Sequence, residues 1–172
     1  MGLDMYLTAS EYVTRTKRDI IQGDAPKQNE FFTELADRRK GWVDEPGYSG
    51  ISVVYPIAYW RKANAIHNWF VQNVQDDRDE CQKSWVAPQN LRDLREACQA
   101  VLATKNNSLV SVNEVAEEVG LVPKAGFFFG STEYDEYYFQ DLEYTVKTID
   151  RLEAVGLFDT EACVDIEYQS SW

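Results

Sequence analysis

Apolar and polar residues alternate at the start of the chain. Leu3, Met5 and Leu7 stand against Asp4 and Tyr6, which predicts a strand over residues 3–13. Residues 14–50 are polar and poorly periodic. Within them Asn29–Lys40 offers Phe31, Phe32 and Leu35 to a short helix, and Glu45-Pro-Gly-Tyr-Ser-Gly reads as a turn, so the stretch is expected to be a loop-rich excursion. Ile51, Val53, Val54, Tyr55, Ile57 and Tyr59 form a β-rich run in which Pro56 predicts an edge strand or a break. From Trp60 to Val74 the period changes: Tyr59, Ala63, Ile66, His67, Phe70 and Val74 fall on one face of a helix.

The second half repeats these patterns. Ser84-Trp85-Val86 reads as a short strand, and Pro88 opens a helix whose stripe is Leu91, Leu94, Cys98, Val101 and Leu102. Val112–Val119 predicts a short helix ended by Gly120. Phe127, Phe128 and Phe129 lie between Gly126 and Gly130 and are too short a run for a helix, so a buried strand is expected. A helix over residues 132–155 follows from Tyr138, Leu142, Thr145, Ile149 and Leu152, with Thr132 and Asp135 as an approximate capping box and Gly156 as its stop. Val164, Ile166 and Tyr168 alternate with Asp165 and Glu167 in a last strand. The pattern predicts an α/β (α+β) fold. One domain spans 1–172, with a small mixed or antiparallel sheet packed against about three main helices, near 60–74, 88–103 and 132–155.

Length and composition agree with a single domain: 172 residues, 44% hydrophobic and 13% aromatic, suffice for a real core. No apolar run approaches a membrane span, and the first residues show neither a signal-peptide pattern nor a myristoylation motif. Cys81, Cys98 and Cys163 are odd in number and unclustered, as expected of reduced thiols in a cytoplasmic protein. Charge changes the picture more. Of the formal net −12, residues 106–172 hold −11, with 3 basic and 14 acidic side chains. That half is unsuited to direct binding of a nucleic-acid backbone and suited to a basic protein surface, or simply to solvation.

Candidate chemistry gathers at two places. The Gly126–Tyr138 junction offers a pocket rim of Ser131, Thr132, Tyr134, Asp135 and Tyr138 for a neutral or cationic group or a stacked base, against the plainer role of a capped helix start. Around the helix after Tyr59, Arg61, Lys62, Asn64 and Asn68 set basic and amide groups beside aromatics, the types that hold phosphates and read base edges. The same strip also fits a solvated helix face. His67, the only histidine, lies on an apolar face, which fits a core histidine or a half-buried acid–base group. Glu133, Asp135, Glu136, Asp141 and Glu143 are numerous, but their spacing specifies no glycosidase pair. No metal or cofactor motif is present in the sequence.

Three segments carry a resemblance: Met1-Gly-Leu-Asp-Met-Tyr-Leu, Tyr59-Trp-Arg-Lys-Ala-Asn-Ala-Ile-His-Asn-Trp-Phe, and Gly126-Phe-Phe-Phe-Gly-Ser-Thr-Glu-Tyr-Asp-Glu-Tyr-Tyr. Over most of residues 1–150 the chain resembles a family of small phage, prophage and bacterial proteins of no assigned activity. The resemblance carries over no catalytic residue. It implies a setting, that of a phage accessory (counter-defence) protein acting by binding in the host cytoplasm. Three functions are therefore expected to compete. The first is a non-enzymatic binder that sequesters a small nucleotide-like ligand, with Arg61, Asn64, His67, Ser131, Tyr134, Asp135 and Tyr138 lining one pocket and Arg61 or Lys62 holding the phosphate. The second is an acidic inhibitor that occupies the basic surface of a host nuclease or CRISPR effector. The third is a small nucleotide-processing enzyme using His67 and Asp135 as acid and base.

Overall fold

A computed structural model describes residues 2–14, 50–105, 107, 109–159, 162 and 164–172. The excursion expected over 14–50, with its helix and turn, lies almost wholly outside the described residues. The chain divides into two compact units, Met1–Ser10 with Tyr55–Trp172, and Glu11–Val54. The hydrophobic core and every described helix belong to the first unit.

Four strands, β1 (Asp4–Thr14), β2 (Gly50–Arg61), β3 (Ser84–Trp85) and β4 (Val164–Ser171), form one antiparallel sheet in the order β2-β1-β4-β3. Four helices are described: α1 (Asn64–Val74), α2 (Pro88–Leu102), α3 (Val112–Glu118) and α4 (Glu136–Ala154). The fold is thus a small α+β fold with an antiparallel sheet. Alternation sets which sheet face is buried. Leu3, just before β1, Met5 and Leu7 of β1, Ala58 and Trp60 of β2, and Ile166 and Tyr168 of β4 point into one core with the helix stripes, while Tyr6 and Tyr59 face out. At the centre of that core the rings of Phe70 and Tyr168 stack with centroids 4.0 Å apart. Helices α2 and α4 share the largest helix–helix contact, bordered by Arg92–Glu153 (2.7 Å), Arg95–Asp150 (3.2 Å) and a short Arg95–Glu153 contact.

β2 runs unbroken through Pro56 and stands at the sheet edge. Side chains of α4 cover that edge. The hydroxyl of Tyr144 accepts from Tyr59 N–H (3.4 Å), and Arg151 donates to Ile57 C=O (2.8 Å). An edge treated this way no longer offers those groups to another strand. One residue further along β2, Trp60 Nε1–H donates to Thr145 Oγ1 (2.9 Å), which itself donates to Asp141 C=O (2.7 Å).

Three sequence expectations are corrected. First, residues 127–129 are not a strand: the chain turns there, with Phe129 N–H on Gly126 C=O (3.2 Å). Phe127 is 94% exposed, Phe128 intermediate and Phe129 buried, so the three rings do not share a core. Gly126 permits this turn, because a Cβ there would meet the Phe129 ring at 2.6 Å. Second, the last long helix starts at Glu136, capped by Asp135 through Tyr138 N–H (3.0 Å), not at Thr132. Ser131 Oγ instead accepts from Glu133 N–H (3.1 Å), a local turn that delays helix entry. Third, the helix expected from Trp60 starts at Asn64, since β2 keeps Trp60 and Arg61 extended.

The buried Trp60–Thr145 bond gives a test of this arrangement. Thr145→Val keeps the volume but leaves the indole N–H without an acceptor, and should lower stability by about 1–3 kcal/mol. Thr145→Ser should recover most of the loss. Urea unfolding of both variants distinguishes this from a contact of no consequence, in which valine would be neutral.

Candidate ligand-binding cleft

A cleft of about 310 Å³ opens where the end of β2 and the start of α1 face the 130–135 segment and the first two turns of α4. The β2–α1 junction shapes one wall. Lys62 adopts φ 61°, an unfavoured conformation for a side-chain-bearing residue, and Ala63 follows at φ −76°, ψ 66°, the inverse γ-turn, closed by Asn64 N–H on Lys62 C=O (2.9 Å). The chain thereby leaves the sheet and enters α1 within two residues, and Arg61 and Lys62 are both placed at the cleft. Gly130 (φ 95°) lies against this turn, where a Cβ would come within 3.2 Å of Lys62 Cβ. The backbone angle favours glycine there, and the tight space adds to that preference.

Asn64 joins the two walls. Its carboxamide N–H groups donate to Phe129 C=O (3.0 Å) and Ser131 C=O (2.7 Å), and its Oδ1 accepts from Lys124 N–H (3.2 Å). The His67 ring, one turn on, meets Phe129 edge-on at 5.3 Å. The α1 helix and the Gly126–Tyr138 junction are therefore in contact.

Of the residues singled out from the sequence, Arg61, Lys62, Asn64, Ser131, Asp135 and Tyr138 line the cleft; His67, Asn68, Thr132 and Tyr134 do not. Asn64 spends its amide on backbone partners. Tyr138 is 7% exposed, and its hydroxyl donates to Leu121 C=O (3.0 Å), so it forms wall rather than an offered donor. Tyr134 packs edge-on against Tyr138 (5.0 Å) and reaches Asn113 Oδ1 (3.0 Å). Thr132 is exposed, and Asn68 is buried a turn beyond Asn64.

His67 is fully buried, 2.7 Å from Tyr168 Oη through Nδ1 and 3.1 Å from Asp79 Oδ2 through Nε2. Burial holds its pKa below the ordinary value, outweighing the Asp79 carboxylate, while burial raises that of Tyr168. The consistent assignment is a neutral imidazole that accepts from Tyr168 O–H and donates Nε2–H to Asp79. Trp172 Nε1–H holds the other oxygen of Asp79 (3.0 Å). This chain ties α1 to β4 and Trp172. It does not bring His67 together with Asp135 in the cleft.

The polar side chains that complete the lining are Glu133, Tyr137 and Asp141. Tyr137 is 74% exposed at the rim. Asp141 sits beside the apolar stripe of α4, three residues after Tyr138 and one before Leu142, where burial first and Asp135 second raise its pKa to about 6. In the sequence it stood only as one of several carboxylates, with nothing in its spacing to single it out. Five charged side chains thus line the cleft: Arg61 and Lys62 from one wall, Glu133, Asp135 and Asp141 from the other. Among the described residues, none of these five pairs with another, and the charged groups of Arg61, Lys62, Glu133 and Asp141 make no hydrogen bond or ion pair. No group of three or more His, Cys, Asp or Glu among the described residues is arranged to hold a metal ion. Comparison with family models, curated proteins and solved structures returned no match.

A carboxyl whose folded pKa lies above its ordinary 3.8 binds its proton more tightly folded than unfolded. Its contribution to stability is greatest below that ordinary value and is lost as pH rises to about 6. Asp141→Asn removes the buried charge, and should stabilise the protein at pH 7.5 by about 1–3 kcal/mol. The difference between the two proteins should shrink toward zero near pH 4. Thermal unfolding of both across that range checks the sign; equal pH profiles would show that Asp141 is solvated as an ordinary surface carboxylate.

Proposed function

We propose that this protein acts by binding a small nucleotide-like ligand in the cleft, with Arg61 and Lys62 on its phosphate and Tyr137 against its base. One observation carries the reading: unpaired charges of both signs share one cleft. Elsewhere among the described residues several cations do find carboxylates, as Lys105 does with Glu136 and Glu143 (3.3 Å each) and Lys83 with Glu167 (3.3 Å), while Lys124 and Lys147 have none; what sets the cleft apart is that two such cations face three carboxylates. In the cleft no such pair forms among the described residues, which leaves both signs of charge open to a third party. The volume lies at the small end of the roughly 300–1,000 Å³ typical of ligand sites, which favours a mononucleotide over a dinucleotide. In the setting that the resemblance implies, such binding would withhold the ligand from the host.

Titration calorimetry with a panel of nucleoside monophosphates tests this. One equivalent should bind, and Arg61→Ala should weaken binding about tenfold or more, the loss of a charge-assisted phosphate contact, with an unchanged melting temperature. A wild-type protein that binds no member of the panel overturns the proposal.

A second reading keeps one observation of its own: α3 presents Glu114, Glu117 and Glu118, all exposed, in the acidic half of the chain. On that reading the partner is a basic host protein. Its capture from a host lysate should then weaken steeply with salt and persist in Arg61→Ala.

A further inference from the structure

The acidic wall narrows the ligand class, on the premise that the cleft takes a nucleotide. An ionised carboxylate only accepts hydrogen bonds. The Arg61–Lys62 wall can take the phosphate, but Glu133, Asp135 and Asp141 would repel it. What they accept is N–H. Asp135 has one oxygen already engaged, Oδ1 with Tyr138 N–H, whereas no hydrogen bond or ion pair among the described residues reaches the carboxylate of Asp141. Asp141 also lies on α4 between two buried residues of this wall, Tyr138 and Leu142. Two vacant oxygens on one planar carboxylate match two adjacent N–H donors on one planar edge.

Among the common bases this requirement is selective. Guanine presents N1–H and the N2 amino group side by side. Hypoxanthine keeps N1–H and lacks the amine. Xanthine replaces the amine by a carbonyl oxygen, which faces a carboxylate unfavourably. Adenine offers its N6 amine beside an acceptor. We propose that Asp141 selects a guanine nucleotide: its carboxylate takes guanine N1–H and N2–H, Tyr137 covers the base, and Arg61 with Lys62 holds the phosphate at the other end of the cleft.

A hydrogen bond to a charged group in a partly enclosed cleft discriminates when its partner is absent. Wild type should therefore bind GMP about tenfold or more tightly than IMP, and more tightly still than XMP. Asp141→Asn replaces one acceptor by an N–H₂ donor of the same size. It should lose the GMP preference and bind XMP as well as or better than GMP, because the amide N–H now meets the xanthine carbonyl. The experiment is calorimetric titration of both full-length proteins with GMP, IMP, XMP and AMP at pH 7.5, with the melting temperature of each recorded. A wild type that binds GMP and IMP equally, or an unchanged order of preference in Asp141→Asn, overturns the assignment and leaves the nucleotide reading standing. A wild type that binds none of the four overturns both.

Discussion

The cleft depends on the side chain of Asn64. Strand β2 must leave the sheet, reverse through Lys62 and Ala63, and begin α1; the segment from Lys124 to Ser131 must pass the same point without regular structure of its own. A segment without a ladder has backbone groups to satisfy. Asn64 satisfies three of them at once, two carbonyls and one N–H. Because it is 4% exposed, those bonds form away from competing water. Gly130 then allows the segment to lie against Lys62, and the opposing charges acquire fixed positions. Without the clamp the 124–131 segment would be held to this wall mainly by the Phe129 ring and one bond from Leu3 N–H to Phe128 C=O (3.2 Å).

The elements were legible where periodicity is strong. Alternation at Leu3–Leu7 and Val164–Tyr168, and the stripes of α2 and α4, survive in the structure because each presents one apolar face to a shared core. The misreadings have a common physical cause. Phe127–Phe129 has the composition of a buried strand, but composition does not reveal a turn made by one glycine against a ring. Likewise Tyr59 and Trp60 continue the helical spacing of Ala63 and Ile66, yet β2 extends through them since its ladder with β1 reaches Lys62 N–H on Leu3 C=O (2.8 Å). At the cleft the helix cap, expected at Thr132, is Asp135, while the basic residues were readable from residue type. Asp141 was not, since a lone carboxylate beside an apolar stripe looks like many surface residues until the fold buries it. The side-chain role of Asn64 was equally hidden, since an asparagine on a polar strip gives no sign that its partners are backbone groups more than fifty residues away.

His67 and Asp141 show how differently two buried ionisable groups are held in one molecule. Each ionisable group is taken partly or wholly out of water, and each shifts toward its neutral form, the histidine downward and the aspartate upward. The histidine is then fully employed: both ring nitrogens have partners, Asp79 beyond it is held by Trp172, and the neutral ring packs against Phe129 and Tyr168. Its polarity serves the fold, fixing α1 against β4. Asp141 has the burial without the partners. Its nearest electrostatic neighbour of note is another carboxylate, Asp135, and the cations of the facing wall do not reach it. A protein selected for stability alone would place an apolar or amide residue there. The arrangement becomes sensible when the missing partner is a molecule that brings N–H donors to Asp141 and an anion to Arg61 and Lys62, because the ligand then completes on binding what folding left unpaired.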